Sequence, residues 1–345
     1  MRTVDLRSDT VTTPTAAMRQ AMFQAEVGDD VYGEDPTINA LEEKGAAIMG
    51  KEAGLYVTSG TMGNQIAAMV HTSKGDEIIC EAEAHIYYYE VAGLACLSGV
   101  QVRPVAGDKG ILSAAAIHSA IRPVDVHAPT TSLICVENTH NRAGGTYYSL
   151  VGLAGIKSLA AKHSIPVHMD GARIFNAAVA LGVRAEEIAR HVDSVQFCLS
   201  KGLAAPVGSL LVGSRSFITE ARRYRKMLGG GMRQAGVIAA AGIVGLESMV
   251  ERLAEDHQNA KILADGIANL GYDIDIATVQ TNIVIFSLPG EKIDPPQFVA
   301  ALKDNGVKAN AFGERRVRMV THCNIDRADV DYTLAVLAKL RPACG

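Results

Sequence analysis

The chain has 345 residues, 48% hydrophobic and 20% charged, with a formal net charge of −4. This length and balance suit one large or two smaller packed domains, and the slight negative charge excludes the basic surface of a nucleic-acid binder. No apolar run reaches the ~18 residues that span a bilayer, and the opening MRTVDLRSDT lacks the apolar core of a secretory signal, so a cytoplasmic protein without a membrane partner is expected.

Strand-like and helix-like segments alternate along the chain. Asp35-Pro36 caps a helix that presents Ile38, Leu41, Ile48 and Met49 and stops at Gly50. Gly45 to Lys51 matches the start of a GxxxxGK nucleotide loop. However, Glu52 stands where a magnesium-binding hydroxyl belongs, and the glycines close a helix instead of following a strand. No GxGxxG occurs at a strand-to-helix turn, so a nicotinamide or flavin site has no support. In YVTSGTMGNQIAAMVH (56–71) a short strand ends, Ser59-Gly60-Thr61 turns the chain and a helix begins. The first N–H groups of such a helix favour an anion, Gly60 permits close approach and Thr61 adds a hydroxyl. Taken alone, the segment is read more simply as an ordinary N-cap.

DEIIC (76–80) reads as a strand, followed by His85 within EAEAHIYYYE. A histidine beside Tyr87, Tyr88 and Tyr89 suits packing, stacking on a flat cofactor ring or proton transfer. VQVRPV (100–105), SLICVEN (132–138), PVHMD (166–170) and SVQFCLS (194–200) continue the strands, with a helix from Leu150 to Lys162 between them. Apolar residues at consecutive positions imply a sheet covered on both faces, and the βαβ rhythm predicts an open, mostly parallel sheet.

Asp170 closes its strand and Gly171 turns the chain, with Arg173 three residues after the aspartate. The segment fits a local ion pair, or a carboxylate at the strand end where open α/β sheets bind ligands, placed to partner a cationic ring nitrogen. Lys201 holds the same kind of position and is the only charge between Ser194 and Gly213. A loop lysine is normally solvated. Here GLAAPVGSLLVG follows as a second apolar segment, and a desolvated lysine has a lowered pKa and attacks carbonyls.

ARRYRKMLGGGMRQ (221–234) carries Arg222 and Arg223 on a solvated helix face. Three consecutive glycines then impose a loop, from which Lys226 or Arg233 reaches a phosphate, across a subunit boundary. The character changes after about residue 245. An amphipathic helix from Glu247 to Leu270, TNIVIFSL, a helix from Pro296 to Asn305 and RVRMVTH predict a smaller α+β domain over 246–345, packed on a large domain over 1–245. Arg318 in RVRMVTH suits a surface position or a two-pronged grip on a carboxylate. The six cysteines (Cys80, Cys96, Cys135, Cys198, Cys323 and Cys344) lack CxxC spacing and read as reduced thiols.

A strand-end aspartate, a strand-end lysine, a glycine–threonine helix start, a histidine and several arginines together form the set that pyridoxal 5'-phosphate requires. At this point the sequence closely resembles the low-specificity L-threonine aldolases of the aspartate-aminotransferase (fold type I) superfamily. The resemblance rests on DLRSDTVT (5–12), VGDDVYGEDP (27–36), SGTMGNQ (59–65), ENTHN (137–141), HMDGARIFNA (168–177), CLSKGLAAPVGSLLVG (198–213), KMLGGGMRQAG (226–236) and RMVTH (318–322).

The resemblance implies that Lys201 binds the cofactor aldehyde, Asp170 its ring nitrogen and Gly60 and Thr61 its phosphate. Arg233 and Lys226 reach that phosphate from a neighbouring subunit, and His85 stacks on the ring. Ser8, Arg173 and Arg318 hold the substrate carboxylate, with Arg173 also near the cofactor. Tyr32 and Tyr89 border the substrate, and His85 or a water held by His127 takes the hydroxyl proton. It also implies a homotetramer of dimers that share active sites, and retro-aldol cleavage of threonine to glycine and acetaldehyde. Two stretches depart from the family pattern: the Tyr87–Tyr89 run and RAGGTYYSL (142–150), which carries an additional glycine pair. Both are expected to shape the pocket for the β-substituent. A β-eliminating lyase or an aminotransferase fits the shorter chain and motif order less well, and a catalytically silent relative would be expected to lose Lys201.

Overall fold

In the computed structural model, which describes residues 2–341, a short strand β1 (Val4–Asp5) is followed by helices α1 (Ala16–Gln24) and α2 (Pro36–Ile48). Thr15 and Asp35 start the two helices by accepting the N–H groups of Met18 and Ile38, caps worth about 1 kcal/mol each. Seven strands then build one sheet: β2 (Ala53–Val57), β3 (Glu77–Glu81), β4 (Gln101–Val105), β5 (Thr131–Glu137), β6 (Val167–Asp170), β7 (Ser194–Cys198) and β8 (Ser209–Gly213). Their order is β2-β8-β7-β6-β5-β3-β4, and β8 alone runs against the others. Every residue of β3, β6, β7 and β8 is buried, as a sheet covered on both faces demands. The mostly parallel sheet expected from the sequence is present.

The connecting helices are α3 (Gly60–His71), α4 (His85–Tyr88), α5 (Ala114–Ala120), α6 (Leu150–Lys162), α7 (Ile174–Leu181), α8 (Ala185–Ala189), α9 (Arg215–Met227) and α10 (Gly236–Ser248). The chain continues through α11 (Leu253–Asn269), β9 (Ile283–Ser287), α12 (Pro295–Asp304), β10 (Val307–Lys308), β11 (Asn310–Phe312), β12 (Arg316–Val320) and α13 (Arg327–Leu340). Strands β11-β12-β9 form a small antiparallel sheet, and β10 pairs in parallel with β1.

The helix expected over 247–270 is α11 (Leu253–Asn269) with a later start; Glu247 and Ser248 end α10 instead. The reason is a change of partner: α10 packs on α1 and α2, whereas α11 packs on α13, α7 and β9. A straight helix buries one stripe against one neighbour, so the chain breaks at 249–252 to serve both. Apolar side chains accordingly gather in two main cores. One runs from Met18 to Leu253, and the other joins Val4 and Leu6 to residues between Ala260 and Leu337. The N-terminal arm, expected with the large domain, therefore contributes its first strand to the second core. Cys80, Cys96, Cys135, Cys198 and Cys323 are free thiols, and Cys344 lies outside the described residues. Among the described residues, no helix is long and apolar enough to cross a membrane.

Candidate active site

The last residues of β5 and β6, Glu137 and Asp170, and the segments after β3 and β7, which carry His85 and Lys201, meet at one opening at the carboxyl edge of the sheet. Two cavities adjoin there. One, of about 420 Å³, is bordered by Ser8, Tyr89, Asn141, Arg173, Phe312 and Arg318. The other, of about 330 Å³, is bordered by Ser59, Gly60, Thr61, Asn64, Gln196 and Gly208. Lys201, Asp170, His85 and Thr10 line both. Lys201 is half-buried; the apolar flanks β7 and β8 hold its loop, while the lysine itself opens on the cavities.

Asp170 forms the floor. Its carboxylate accepts the amides of Gln196 (2.6 Å) and Asn64 (2.8 Å) and the N–H of Ala172 (3.1 Å). Burial opposes its charge, but the positive fields of His85 and Lys201 and these hydrogen bonds outweigh burial and hold the group below the usual carboxylate range. Asn64 is itself oriented by His168, whose Nε2 lies 3.0 Å from the Asn64 Oδ1. Burial, assisted by His71, pushes His168 down to about 3, so a neutral ring donates to that oxygen and leaves both amide hydrogens of Asn64 to donate.

The second amide hydrogen goes to Glu90, at 2.8 Å. Buried Glu90 also accepts Gln65 (2.6 Å) and faces the His85 Nδ1 at 3.0 Å. Burial lowers the pKa of His85, whereas the hydrogen bond to Glu90 and the charges of Asp170, Glu90 and Glu137 raise it; the net direction is up. Ligand atoms of His85, Glu90 and Asp170 lie within 4.8 Å of one another, a spacing that the shared protons and amide donors already explain. Glu137 fixes the surroundings by accepting the backbone N–H groups of His85 (2.7 Å) and Asn141 (2.8 Å). Chain direction reverses just after Glu90, where Val91 and Ala92 are both left-handed, with φ of 55° and 56°. That conformation is strained for a β-branched valine.

The smaller cavity is built for an anion. Ser59 caps α3 by accepting the Met62 N–H, and the N–H groups of Gly60 and Thr61 precede any intrahelical acceptor. A Cβ on Gly60 would stand 3.0 Å from both Cys198 Sγ and Gln196 Oε1, so only glycine brings this turn so close to the floor. Gly208, with φ +100°, closes the far side, and there a Cβ would meet the Tyr56 ring.

The larger cavity ends in two arginines. Arg173 is buried and gives Nε and Nη2 to Asp9, both at 2.7 Å. Burial opposes both charges, but the mutual attraction lowers the pKa of Asp9 and raises that of Arg173. Among the described residues, Arg318 has no carboxylate within ion-pair distance. Its Nη1 donates to Asn141 Oδ1 at 2.8 Å, and its Nε is buried without a partner among the described residues. Ser8 borders the same end and accepts the Thr10 N–H.

The single chain thus brings together Ser8, Gly60, Thr61, His85, Tyr89, Asp170, Arg173, Lys201 and Arg318. It does not bring in four others. Tyr32 is 75% exposed, Lys226 is exposed, and Arg233 pairs with Asp29 on the surface. His127 lies in an exposed loop before β5, at the opposite edge of the sheet. The structure adds Asp9, Asn64, Glu90, Glu137, Asn141 and Gln196. Asn64 and Gln196 carried a signal, since an amide within an apolar helix or a buried strand must find partners. Glu90 carried none.

Residues 5–289 match the family model described as beta-eliminating lyase. The chain is 46% identical to low-specificity L-threonine aldolase 1 of Arabidopsis thaliana, over 97% of this chain and 95% of that protein. It is 43% identical to the low specificity L-threonine aldolase of Escherichia coli K12, over 94% and 95%. The chain belongs to the low-specificity L-threonine aldolase family. Its fold agrees: the solved Leishmania major threonine aldolase superposes with a TM-score of 0.84 at 19% identity, over 98% of this chain and 99% of that one. The residues present fit the pyridoxal phosphate of such a family. An ionised floor carboxylate, a lysine common to both cavities and a helix start free for an anion match the ring nitrogen, aldehyde and phosphate.

Proposed function

We infer that this protein is a pyridoxal-phosphate-dependent lyase that cleaves L-threonine, L-allo-threonine and other β-hydroxy-α-amino acids to glycine and an aldehyde, acetaldehyde in the case of threonine. The observation that carries this reading is that Lys201, Asp170 and the Gly60–Thr61 turn share one opening with the partly unpaired Arg318. When bound, the cofactor supplies an aldehyde for the amine and a ring that accepts the electron pair of the breaking Cα–Cβ bond.

The chain's own residues do the rest. Lys201 Nζ would hold the cofactor aldehyde. The Asp170 carboxylate, kept ionised by its neighbours, would hold a proton on the ring nitrogen. Gly60 and Thr61 would hold the phosphate through their N–H groups. Arg318 and Ser8, which line the same end of the cavity, grip the substrate carboxylate and so orient the Cα–Cβ bond. Arg173, with two nitrogens committed to Asp9, supplies positive field to that end. Glu90 keeps the His85 Nδ1 proton in place, so that Nε2 is left to accept the β-hydroxyl proton. As that proton leaves, the Cβ–O bond becomes a carbonyl, the Cα–Cβ bond breaks and Cα takes a proton to give glycine.

The active assembly we propose is a homotetramer, a dimer of dimers with shared sites, in the cytoplasm. Tyr32, Lys226 and Arg233 complete a neighbour's site in this arrangement. Its support is the position of those residues on the surface and the loop of His127, which also exposes Val124 and Val126. A water held by a neighbour's His127 is the alternative base. The test of the reaction is borohydride treatment of the yellow holoprotein. It should bleach the colour and leave the cofactor's mass on the Lys201 peptide; a colourless protein that takes up no pyridoxal phosphate defeats the reading.

A further inference from the structure

The Tyr87–Tyr89 run and the RAGGTYYSL stretch (142–150) meet in space. Arg142, from the loop after β5, is buried behind the wall of the larger cavity and borders a separate cleft with Glu83, Lys109 and Arg316. Its guanidinium binds Glu83 Oε1 through Nε (3.1 Å) and Nη2 (2.9 Å). It lies over the Tyr88 ring at 4.0 Å and over the Phe312 ring at 4.8 Å. Its remaining nitrogen, Nη1, donates to the Tyr89 hydroxyl at 2.9 Å. One side chain thus ties the β3–α4 loop, the end of α4 and β11 of the second core.

Of the three aromatic residues that it fixes, Tyr89 and Phe312 line the substrate cavity. Tyr89 stands between Arg142 and His85, its ring centroid 5.4 Å from the imidazole. Phe312 stands between Arg142 and Arg318, whose guanidinium lies 5.5 Å from the ring. Guanidinium has donors only, so the Tyr89 oxygen must accept from it and its hydroxyl hydrogen is left for a group in the cavity. Lysine has no planar fork with which to stack on two rings and bind two oxygens at once.

We propose that Arg142 is the positioning residue that shapes the β-substituent pocket, holding Tyr89 beside His85 and Phe312 beside Arg318 from behind the cavity wall. The inference rests on the aldolase reading and deepens it. The carboxylate, amine and cofactor subsites do not touch Arg142, and the wall facing the β-carbon depends on it. Changing Arg142 therefore alters how the two threonine diastereomers are told apart and spares ligands that have no β-carbon.

The test uses the holoenzyme and two variants, Arg142→Met and Arg142→Lys. Three quantities are read: kcat and KM for L-threonine and L-allo-threonine by acetaldehyde release, glycine affinity from the absorbance of the bound cofactor, and cofactor uptake. In Arg142→Met the ratio of kcat/KM between the diastereomers should change about threefold or more, the scale of one cation–π contact. Glycine affinity and cofactor uptake should stay within about twofold, as expected for sites that do not share the lost contacts. Arg142→Lys keeps the charge but should still displace the ratio; it carries the same test if the methionine variant does not fold. An unchanged ratio in both variants, or glycine affinity falling in parallel with threonine cleavage, overturns the proposal. A wild-type protein that binds glycine at its cofactor yet releases no acetaldehyde from either diastereomer overturns the aldolase reading itself.

Discussion

Arg173 and Arg318 reach the same cavity from the two cores, and the sequence offered both for the same task. Arg173 leaves the end of β6, is 6% exposed and has two nitrogens locked on Asp9. Arg318 rises from β12, donates to the neutral oxygens of Asn141 and Arg7 and keeps a buried Nε without a partner among the described residues. Residue type alone does not assign a clamp. We propose that Arg173, with two nitrogens on a carboxylate, mainly frames the site, and that Arg318, left partly unpaired, takes the incoming carboxylate.

The sharpest way to break this comparison is Asp9→Asn. It strands the buried Arg173 charge, so the holoprotein should lose on the order of 3 kcal/mol in denaturant unfolding. The pH dependence has a definite sign. The Asp9 pKa is depressed on folding, so its stabilisation is present above the ordinary carboxylate range and disappears as pH falls through the folded value. The Asn variant should show a correspondingly flatter acid limb. Arg318→Lys should act in the opposite sense: KM for threonine rises about 10–100-fold, the equivalent of ~1.5–3 kcal/mol of charged hydrogen bonding, with little change in stability. If Asp9→Asn chiefly raises KM and Arg318→Lys chiefly unfolds the protein, the two roles are reversed.

Glu90→Gln makes a smaller change that bears on the proton path. Glu90 helps to raise the pKa of His85, and a base works only when deprotonated, so the acid limb of kcat/KM in the wild type should lie above the ordinary histidine value of about 6.5. Gln removes the carboxylate, and the limb should move to lower pH. An acid limb that stays put would transfer the role of base away from His85.

Much of this was legible in the sequence where chemistry and position coincide locally. Asp170 and Lys201 end apolar runs, and Ser59-Gly60-Thr61 separates a strand pattern from a helix pattern; each could be placed without a partner in view. Asp9 could not, because its partner is 164 residues away and only the packing of the N-terminal arm on the second core joins them. Glu90 hides because a strained turn at Val91, not a periodicity, aims it inward. The break between α10 and α11 escapes because amphipathic spacing shows that a stripe is buried and says nothing about which core buries it. Lys226 and Arg233 came from the triple-glycine loop, Tyr32 and His127 from the resemblance, and a single chain holds all four apart from its own cavity.

The most direct test of the central claim compares product formation from L-threonine by the wild-type holoprotein and by Lys201→Ala. Acetaldehyde and glycine should appear in equal amounts with the wild type, and the rate should fall on the order of 10³-fold or more in the variant. Ammonia and a keto acid in place of acetaldehyde, or cleavage that survives the loss of Lys201, would contradict the account.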